Sequence, residues 1–300
     1  MTPRLSAPLL MLMAALLFSV MGVCVKLASA YYSAGEIVLY RSVVGALFIF
    51  GFTQVRGGSL RTTVPGMHFW RSLTGVCSLV LWFYSIGKLP LATAITLNYM
   101  SSVWMALFLI GGAVMLGSAK VDPRLVATVL TGFAGVALVL QPTLEHDQFQ
   151  GALAGLTSGI GAAMAYLQVT ALGRVGEPEY RVVFYFSLGG IVAGGLLMLA
   201  SGAHGHTWLG AALLLATGVL ATVAQMMMTR AYAIGRALTN ASLQYLGIVF
   251  SFIFGVLIFD DPVTLVALAG MVLIVGAGLA ATRLRQRSAP AASESSSFES

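Results

Sequence analysis

The chain is built from long apolar runs separated by short stretches that carry its charges, glycines and prolines. A helix needs about 20 mostly apolar residues to cross the hydrocarbon of a bilayer, and the runs are of that length. The pattern therefore predicts an all-α integral membrane protein with ten transmembrane helices. The predicted spans are 7 to 29, 36 to 55, 67 to 87, 91 to 115, 122 to 141, 151 to 173, 180 to 201, 208 to 234, 237 to 259 and 262 to 283.

The connections between these spans are too short to hold a soluble domain. Residues 288 to 300 have the Ser-rich composition of a disordered tail. The first apolar run is as long as a full span and lacks a small-residue cleavage site, so we interpret it as a transmembrane helix and not as a signal peptide. Any function must then lie within or between the helices.

Composition supports the same class of protein. Hydrophobic residues make up 58% of the 300 residues and charged residues only 9%, and the mean hydropathy is +0.92. Soluble domains carry far more charge. The 34 glycines are typical of closely packed membrane helices. Cys24 and Cys77 lie in apolar runs, which favours free cysteines over a disulfide or a metal site.

Orientation follows from the distribution of Lys and Arg, which favour the cytoplasmic side. With the N-terminus inside, only Lys26, Arg41 and Lys88 of the 16 Lys and Arg residues fall on the outer side. The sequence therefore predicts a bacterial-type inner membrane protein with both termini in the cytoplasm. Because the net charge of +6 reflects this orientation, we expect no nucleic-acid partner.

A motif near the end of the third span returns in the eighth. Tyr84 to Lys88 reads Tyr-Ser-Ile-Gly-Lys, and Tyr232 to Arg236 reads Tyr-Ala-Ile-Gly-Arg, 148 residues later. An amide and a tyrosine follow each copy, as Asn98-Tyr99 and Gln244-Tyr245, at an offset of 146. Two halves of five spans, an odd number, must cross the membrane in opposite senses, which predicts an inverted repeat. The predicted halves are residues 7 to 141 and 151 to 283.

Two weaker echoes agree with this division. Asp122-Pro123 opens the fifth span and Asp261-Pro262 opens the tenth, where Asp suits a helix N-cap and Pro the first helical position. Tyr40-Arg41-Ser42 and Tyr185-Phe186-Ser187 stand 145 residues apart on the second and seventh spans. The second of these copies lacks the cation.

The motifs that identify a family are Ala14 to Leu27, Glu36 to Arg41, Tyr84 to Lys88, Ala92 to Tyr99, Tyr232 to Arg236, Gln244 to Leu246 and Asp261-Pro262. Their order resembles the two EamA-type domains of the drug/metabolite transporter superfamily, and it is closest to the YddG-type aromatic amino acid exporters. The resemblance implies export of small amphipathic metabolites, with aromatic amino acids as the favoured substrates, by rocking of the two halves about a central site.

One departure from the family pattern concerns the amide-tyrosine helices. In the family a proline often follows the last copy and kinks the helix, whereas this chain has Ser101-Ser102 and Gly247-Ile248 at the two positions. Serine pairs and glycine break a helix more softly than proline does. We therefore expect only weak breaks there.

Polar residues at membrane depth are the candidates for a binding site, because each is costly in hydrocarbon unless it faces a partner or a cavity. The alternative is that they form hydrogen bonds between helices. Adjacent helix positions point about 100° apart, so the pattern leaves open which member of each amide-tyrosine pair faces inward. The predicted substrate-binding residues are Ser78, Trp82, Asn98, Tyr99, Tyr166, Gln225, Gln244 and Tyr245.

Charge separates the possible transport mechanisms. The middle of each predicted span lacks Asp and Glu, which disfavours proton coupling through a buried carboxylate. One role for Lys26, Arg41 or Lys88 is to meet a carboxylate at the outer mouth, but we expect these residues to snorkel at the outer span ends. Deep Lys or Arg is then lacking, which argues against a nucleotide-sugar or sugar-phosphate carrier. A cavity of amides and rings suits a substrate with an aromatic body and a zwitterionic head.

Enzyme signatures are missing from the sequence. It has no His or acid pair at membrane depth to act as a base or a metal ligand, and no glycine-rich phosphate loop. We interpret His204 and His206 as part of a solvated outer loop. We therefore expect no catalytic activity, cofactor or metal, and the bilayer and a small amino-acid-like substrate as partners. The oligomeric state stays open, a monomer included, and drug efflux, a channel or a scaffold are the alternatives.

Overall fold

The computed structural model describes residues 6 to 115, 124, 127, 130 to 132, 134, 135, 138, 146 to 235, 240, 243 to 262 and 264 to 288. Within this part of the chain all regular secondary structure is helical, which confirms the predicted fold class. The helices are α1 (Ala7–Ala28), α2 (Ala34–Arg56), α3 (Pro65–Lys88), α4 (Leu91–Tyr99), α5 (Ser101–Met115), α6 (His146–Arg174), α7 (Glu179–Ser201), α8 (Trp208–Ile234), α9 (Leu246–Phe259) and α10 (Leu265–Ser288). By length and composition, α1, α2, α6, α7 and α8 can each cross a membrane.

Local sequence signals explain where α2 and α3 begin and end. The Ser33 hydroxyl accepts a hydrogen bond from the N–H of Glu36, and the Glu36 carboxylate accepts one from the N–H of Ser33, so a capping box starts α2. α2 ends at Gly57, whose φ of 66° is the left-handed conformation that glycine adopts without strain. Pro65 then opens α3 at a position where its missing N–H is not needed.

The predicted fourth span is two helices and not one. α4 and α5 are separated by a turn at Met100, whose N–H still bonds to carbonyl oxygens of α4 at 3.2 and 3.3 Å, so the break is slight. In the second half, Tyr245 forms a turn and α9 begins directly after it. Both breaks come within one residue of the repeated amide-tyrosine motif. The sequence predicts soft breaks of this kind, at Ser101-Ser102 and at Gly247.

Several predicted features lie outside the described residues. They include most of the fifth span with Asp122-Pro123, the cation Arg236 of the second motif copy, and the tail beyond Ser288.

The two halves meet where α2 crosses α7, and the contact is reciprocal. The Ser42 side chain lies over Gly190 of α7, and the Ser187 side chain lies over Gly45 of α2. Ser42 and Ser187 are 145 residues apart, and so are Gly45 and Gly190. Equivalent residues therefore make equivalent contacts, as expected around a two-fold axis between repeat partners.

The other large helix contacts follow the same exchange of halves. α1 packs along α8, and α6 packs along α3. α1 and α6 are the first helices of the two halves, and α8 and α3 are the third helices. Each contact therefore joins the first helix of one half to the third helix of the other half. In the same way α2 packs on α8, and α7 packs on α3. The interior is thus formed largely between the halves, whose boundaries at 7 to 141 and 151 to 283 stay a prediction.

One acidic residue joins the two halves at the predicted outer side. Asp261 accepts hydrogen bonds from Lys26 Nζ at 2.8 Å and from the N–H of Leu91, at the start of α4, at 2.9 Å. The prediction that Asp261 caps the last helix is wrong, because its carboxylate makes this ion pair and α10 begins only at Leu265. Lys26 is therefore paired and does not simply snorkel.

A second acidic residue joins the halves at the predicted inner side. Glu177 lies between α6 and α7, and its buried carboxylate accepts hydrogen bonds from Thr62 at 2.9 Å and Arg181 at 3.0 Å. His68 Nε2 of α3 lies 3.3 Å from the same carboxylate. Burial opposes ionisation of this group, but the hydrogen bonds outweigh burial, so the pKa of Glu177 lies below its usual value.

We expect Gly194→Ala to destabilise the crossing of α2 and α7. A Cβ at position 194 would lie 2.5 Å from the backbone nitrogen of Leu39, and a backbone atom cannot move aside as the end of a side chain can. Overpacking of this kind costs about 1 to 3 kcal/mol. Gly195→Ala is the matched control, because its Cβ would meet nothing within 4 Å. Thermal unfolding in detergent should show a lower Tm for the first variant only, and equal Tm values would contradict the close crossing.

The Glu177 cluster predicts a loss of stability in acid. A carboxyl whose pKa is lowered by folding contributes stability that is fully present above its unfolded value of about 4.3. That stability is lost as the pH falls through the folded value. The wild-type chain should therefore have a higher Tm than Glu177→Gln at neutral pH, and the difference should shrink as the pH falls below about 4.3. A difference that is independent of pH over this range would contradict an ionised Glu177.

Candidate substrate site

A buried cavity lies between the two halves. Its walls come from α1 to α4 of the first half, from α6 to α8 of the second, and from Gln244 just before α9. Its free volume is about 50 Å³, and a water molecule needs about 10 to 15 Å³ on the same measure. Sites for metabolites usually have about 300 to 1,000 Å³. The cavity therefore holds a few waters as it stands, and a metabolite requires the helices to separate.

Seven of the eight predicted binding residues lie on the wall of this cavity. They are Ser78, Trp82, Asn98, Tyr99, Tyr166, Gln225 and Gln244. Tyr245 is buried as well, but it lies off the wall. The two amide-tyrosine pairs therefore differ, because Asn98 and Tyr99 both face the cavity whereas only Gln244 of the second pair does. That these residues bind a substrate stays a prediction.

Two of the polar wall residues already make contacts between helices. Ser78 donates a hydrogen bond to the carbonyl oxygen of Ser158 on α6 at 2.7 Å, and Asn98 Nδ2 donates one to Ser158 Oγ at 2.9 Å. Ser158 Oγ donates in turn to the carbonyl oxygen of Gly155 at 2.6 Å. For Ser78 and Asn98 the alternative role, hydrogen bonding between helices, therefore holds, whatever else they do.

Aromatic rings form much of the remaining wall. Tyr166 of α6 stacks on Tyr232 of α8, with ring centroids 5.5 Å apart and 15° between the planes. The Tyr99 ring lies against Gly247, where a Cβ would come within 2.8 Å of it. Trp82 Nε1 is buried and has no hydrogen-bond partner among the described residues. The wall thus offers flat apolar surface together with a free hydrogen-bond donor.

Two arginines that the sequence pattern places near span ends also line the cavity. Arg41 of α2 is 4% exposed and Arg71 of α3 is 2% exposed. The prediction that deep Lys or Arg is lacking is therefore wrong, and Arg41 does not snorkel. Both residues start about two turns inside their helices, and their side chains turn toward the cavity instead of the lipid headgroups. The one signal in the sequence is Gly75, which follows Arg71 by a helical turn and leaves room for its side chain.

Both guanidinium groups pack on a single ring. The Cζ atoms of Arg41 and Arg71 lie 4.9 and 4.3 Å from the ring centroid of Phe186 on α7. Phe186 is also the repeat counterpart of Arg41, 145 residues later. A cation over a ring is worth about 0.5 to 2 kcal/mol, while the desolvation penalty of a buried ion is several kcal/mol. The ring therefore orients the two cations without compensating their charge.

Matches to known proteins show the family to which this chain belongs. The chain matches the EamA-like transporter family over residues 5 to 141. It is 32% identical over 281 residues to the pseudopaline exporter CntI of Pseudomonas aeruginosa strain UCBPP-PA14, which covers 94% of this chain and 97% of that relative. The chain belongs to the EamA-like transporter family. It is therefore a multi-pass membrane transporter of the drug/metabolite transporter superfamily.

Further matches place other transporters beside this member of the EamA-like family. A riboflavin transporter of Rhizobium johnstonii is 29% identical over 188 residues, which covers 62% of this chain and 60% of that relative. One crystal structure, 20% identical, has a TM-score of 0.67 and covers 94% of this chain and 98% of its own, so it shares the fold. The EamA-type resemblance is confirmed, while the aromatic amino acid exporter branch stays a prediction.

Ser158→Ala should show how much the wall depends on its internal hydrogen bonds. The change leaves Asn98 Nδ2 buried with its partner removed, which costs about 1 to 3 kcal/mol. Thr96→Ala is the control, because the Thr96 hydroxyl bonds within its own helix, to the carbonyl oxygen of Ala92. We expect a lower Tm for Ser158→Ala than for Thr96→Ala. The reverse order would contradict a structural role for the Ser158 contacts.

Proposed function

We propose that this protein exports small amphipathic metabolites by alternating access around the cavity between its halves, with aromatic amino acids among the candidate substrates. The observation that carries this proposal is the cavity, because both halves contribute to it and it combines rings, amides and buried cations. Rocking of one repeat against the other would expose such a site to the two membrane sides in turn.

The polar contacts on either side of the cavity support this mechanism. Toward the predicted outer side, Asp261 of the second half holds Lys26 and the start of α4 in the first half. Toward the predicted inner side, Glu177 of the second half holds Thr62 and His68 of the first. Each set links the two halves, so opening the cavity to one side requires one set to break while the other holds.

Direction and substrate class have separate support. A relative that aligns with 94% of this chain is named an exporter, which supports export. Another relative is named a riboflavin transporter, so the substrate of this chain has to be argued from its own wall. The rings of Trp82, Tyr99 and Tyr166 suit a flat apolar body, and the amides of Gln225 and Gln244 suit a polar head group.

A sugar-phosphate or nucleotide-sugar carrier is the second candidate. Such a carrier needs cations that face its cavity, and the buried Arg41 and Arg71 meet that requirement. A sugar also needs many hydroxyl and amide partners, whereas much of this wall is aromatic or aliphatic. Amphipathic metabolites are therefore the better fit, and drug efflux is the third candidate within the superfamily.

The bacterial inner membrane, with both termini in the cytoplasm, is part of the same proposal. Its support is the distribution of Lys and Arg along the sequence, which follows the rule for cytoplasmic loops. Labelling of single introduced cysteines by a membrane-impermeant reagent in intact cells tests it. A cysteine in the connection at 57 to 64 should be protected and one at 202 to 207 labelled, and the opposite result would reverse the orientation.

Flux into proteoliposomes tests the central site. We expect Gln225→Ala, Gln244→Ala and Tyr99→Ala each to reduce flux of radiolabelled aromatic amino acids about tenfold, because a lost hydrogen bond or ring contact is worth about 1 to 1.5 kcal/mol. Thr217→Ala is the matched control on α8, since its buried hydroxyl bonds to the carbonyl oxygen of Leu213 within the helix. Unchanged flux in all three wall variants would sink the central-site hypothesis.

A further inference from the structure

We propose that the cavity binds substrates that carry two carboxylates, one held by Arg41 and the other by Arg71, with the apolar or aromatic part of the substrate against the tyrosine and tryptophan wall. This inference rests on the proposed transport function and narrows its substrate class. A zwitterionic amino acid has only one carboxylate, so it neutralises one of the two arginines and should bind less tightly than a dicarboxylate.

The part of the chain that the structure describes does not balance the charges of these arginines. Arginine stays protonated in proteins, and a buried charge that lacks a partner is strongly unfavourable. Arg41 and Arg71 are almost fully buried, and none of the ion pairs between described residues includes either of them. Because both pack on the Phe186 ring, their like charges also repel each other. An anion supplied from outside the protein removes both penalties.

The free hydrogen-bonding groups point to the same kind of ligand. Nε and Nη1 of both arginines are buried and lack a hydrogen-bond partner within the described part of the chain. Arg41 Nη2 makes one long hydrogen bond, 3.3 Å, to Gln225 Oε1. Trp82 Nε1 on the same wall is a further donor without a described partner. Guanidinium and indole groups can only donate, so their shared ligand must be an acceptor, and a carboxylate matches the guanidinium fork.

Two carboxylates fit this arrangement better than one. The two guanidinium groups reach the cavity from different helices and meet at one ring, so a single small molecule can contact both. A monocarboxylate bound to one arginine leaves the charge of the other arginine buried and uncompensated, which is unfavourable. A dicarboxylate neutralises both charges and leaves the loaded cavity without net charge.

Gly75 is the positioning residue for Arg71. It lies one turn further along α3, and a Cβ there would collide with Arg71 Nη1 and come within 3.0 Å of the Phe186 ring. The missing side chain at position 75 lets the guanidinium fold back along the helix and over the ring. Alanine at this position would push the guanidinium away, and because that group is the free end of a flexible side chain, the helices need not move.

Binding to the full chain in lipid nanodiscs tests the substrate class with four probes that share a phenyl ring. 3-Phenylpropanol is uncharged, 3-phenylpropanoate has one carboxylate, benzylsuccinate has two, and phenyl phosphate has a phosphate instead. We expect affinity, measured by calorimetry and by the rise in Tm, to be at least about tenfold higher for benzylsuccinate than for 3-phenylpropanoate. Equal affinity for these two acids, or tighter binding of phenyl phosphate, would overturn the proposal.

Variants of the arginines and of Gly75 test the assignment to residues. Arg41→Gln and Arg71→Gln should each weaken benzylsuccinate about tenfold, to the level of 3-phenylpropanoate, and leave 3-phenylpropanol unchanged. Arg71→Lys should fall between, because lysine keeps the charge and loses the fork. Gly75→Ala should behave like Arg71→Gln, and Gly66→Ala, which has open space in the same helix, is its control. An equal loss for all probes would overturn the proposal.

A measurement without ligand separates a binding role from a structural one. If the arginines await an anion, replacing one by methionine removes an uncompensated buried charge, so Arg71→Met should raise the Tm of the empty protein. A lower Tm for both Arg41→Met and Arg71→Met would overturn the proposal, because the protein itself would then be compensating these charges. Added potassium chloride should raise the wild-type Tm little, and a rise equal to that from benzylsuccinate would assign the site to an inorganic anion.

Failure of this inference differs from failure of the proposed function. If the Gln225, Gln244 and Tyr99 variants lose flux while the arginine variants bind all four probes like the wild type, the cavity is the transport site and the dicarboxylate assignment is wrong. If the wall variants keep full flux as well, the central site itself is wrong.

Discussion

A charge inside a membrane protein must be compensated, and the geometry of this transporter leaves two guanidinium groups in its interior that the described part of the chain does not compensate. The close crossing of α2 and α7, made by reciprocal serine and glycine contacts, brings Phe186 of one half to Arg41 and Arg71 of the other. The same crossing lies between repeat partners. The buried arginines, the crossing of the repeat partners and the cavity therefore lie at the same place in the fold.

Much of the fold could be predicted from the sequence, because apolar runs and repeated motifs report on the whole helix and not on single contacts. Tyr40 and Tyr185 are 145 residues apart, and the equivalent residues that make the crossing of α2 and α7 are separated by the same offset. Contacts between individual side chains are harder to predict from the sequence. Asp261 followed by Pro262 has the sequence of a helix N-cap. Its carboxylate instead forms an ion pair with Lys26, more than two hundred residues earlier in the chain. A distant partner of this kind leaves no local pattern.

The sequence likewise predicts some residues of the candidate site and not others. Neutral polar and aromatic residues on its wall could be found from the sequence, because polarity at membrane depth is itself the signal, and Tyr166, Gln225 and Gln244 lie on the cavity. The arginines could not, because distance from a helix end does not say whether a long side chain turns to the headgroups or to the interior. That choice depends on Gly75 and on a ring supplied by the other half of the chain.

The described part of the chain leaves two buried arginines without an ion pair on the wall of a small cavity, and we propose that the bound substrate supplies the missing charge. The most direct measurement is an experimental structure of the full chain in lipid with benzylsuccinate bound. One carboxylate should lie within hydrogen-bonding distance of the Arg41 guanidinium and the other within that distance of Arg71, with the phenyl ring against Trp82 or the tyrosines. A ligand outside the cavity, or one inside it with both carboxylates turned away from the arginines, would contradict the assignment.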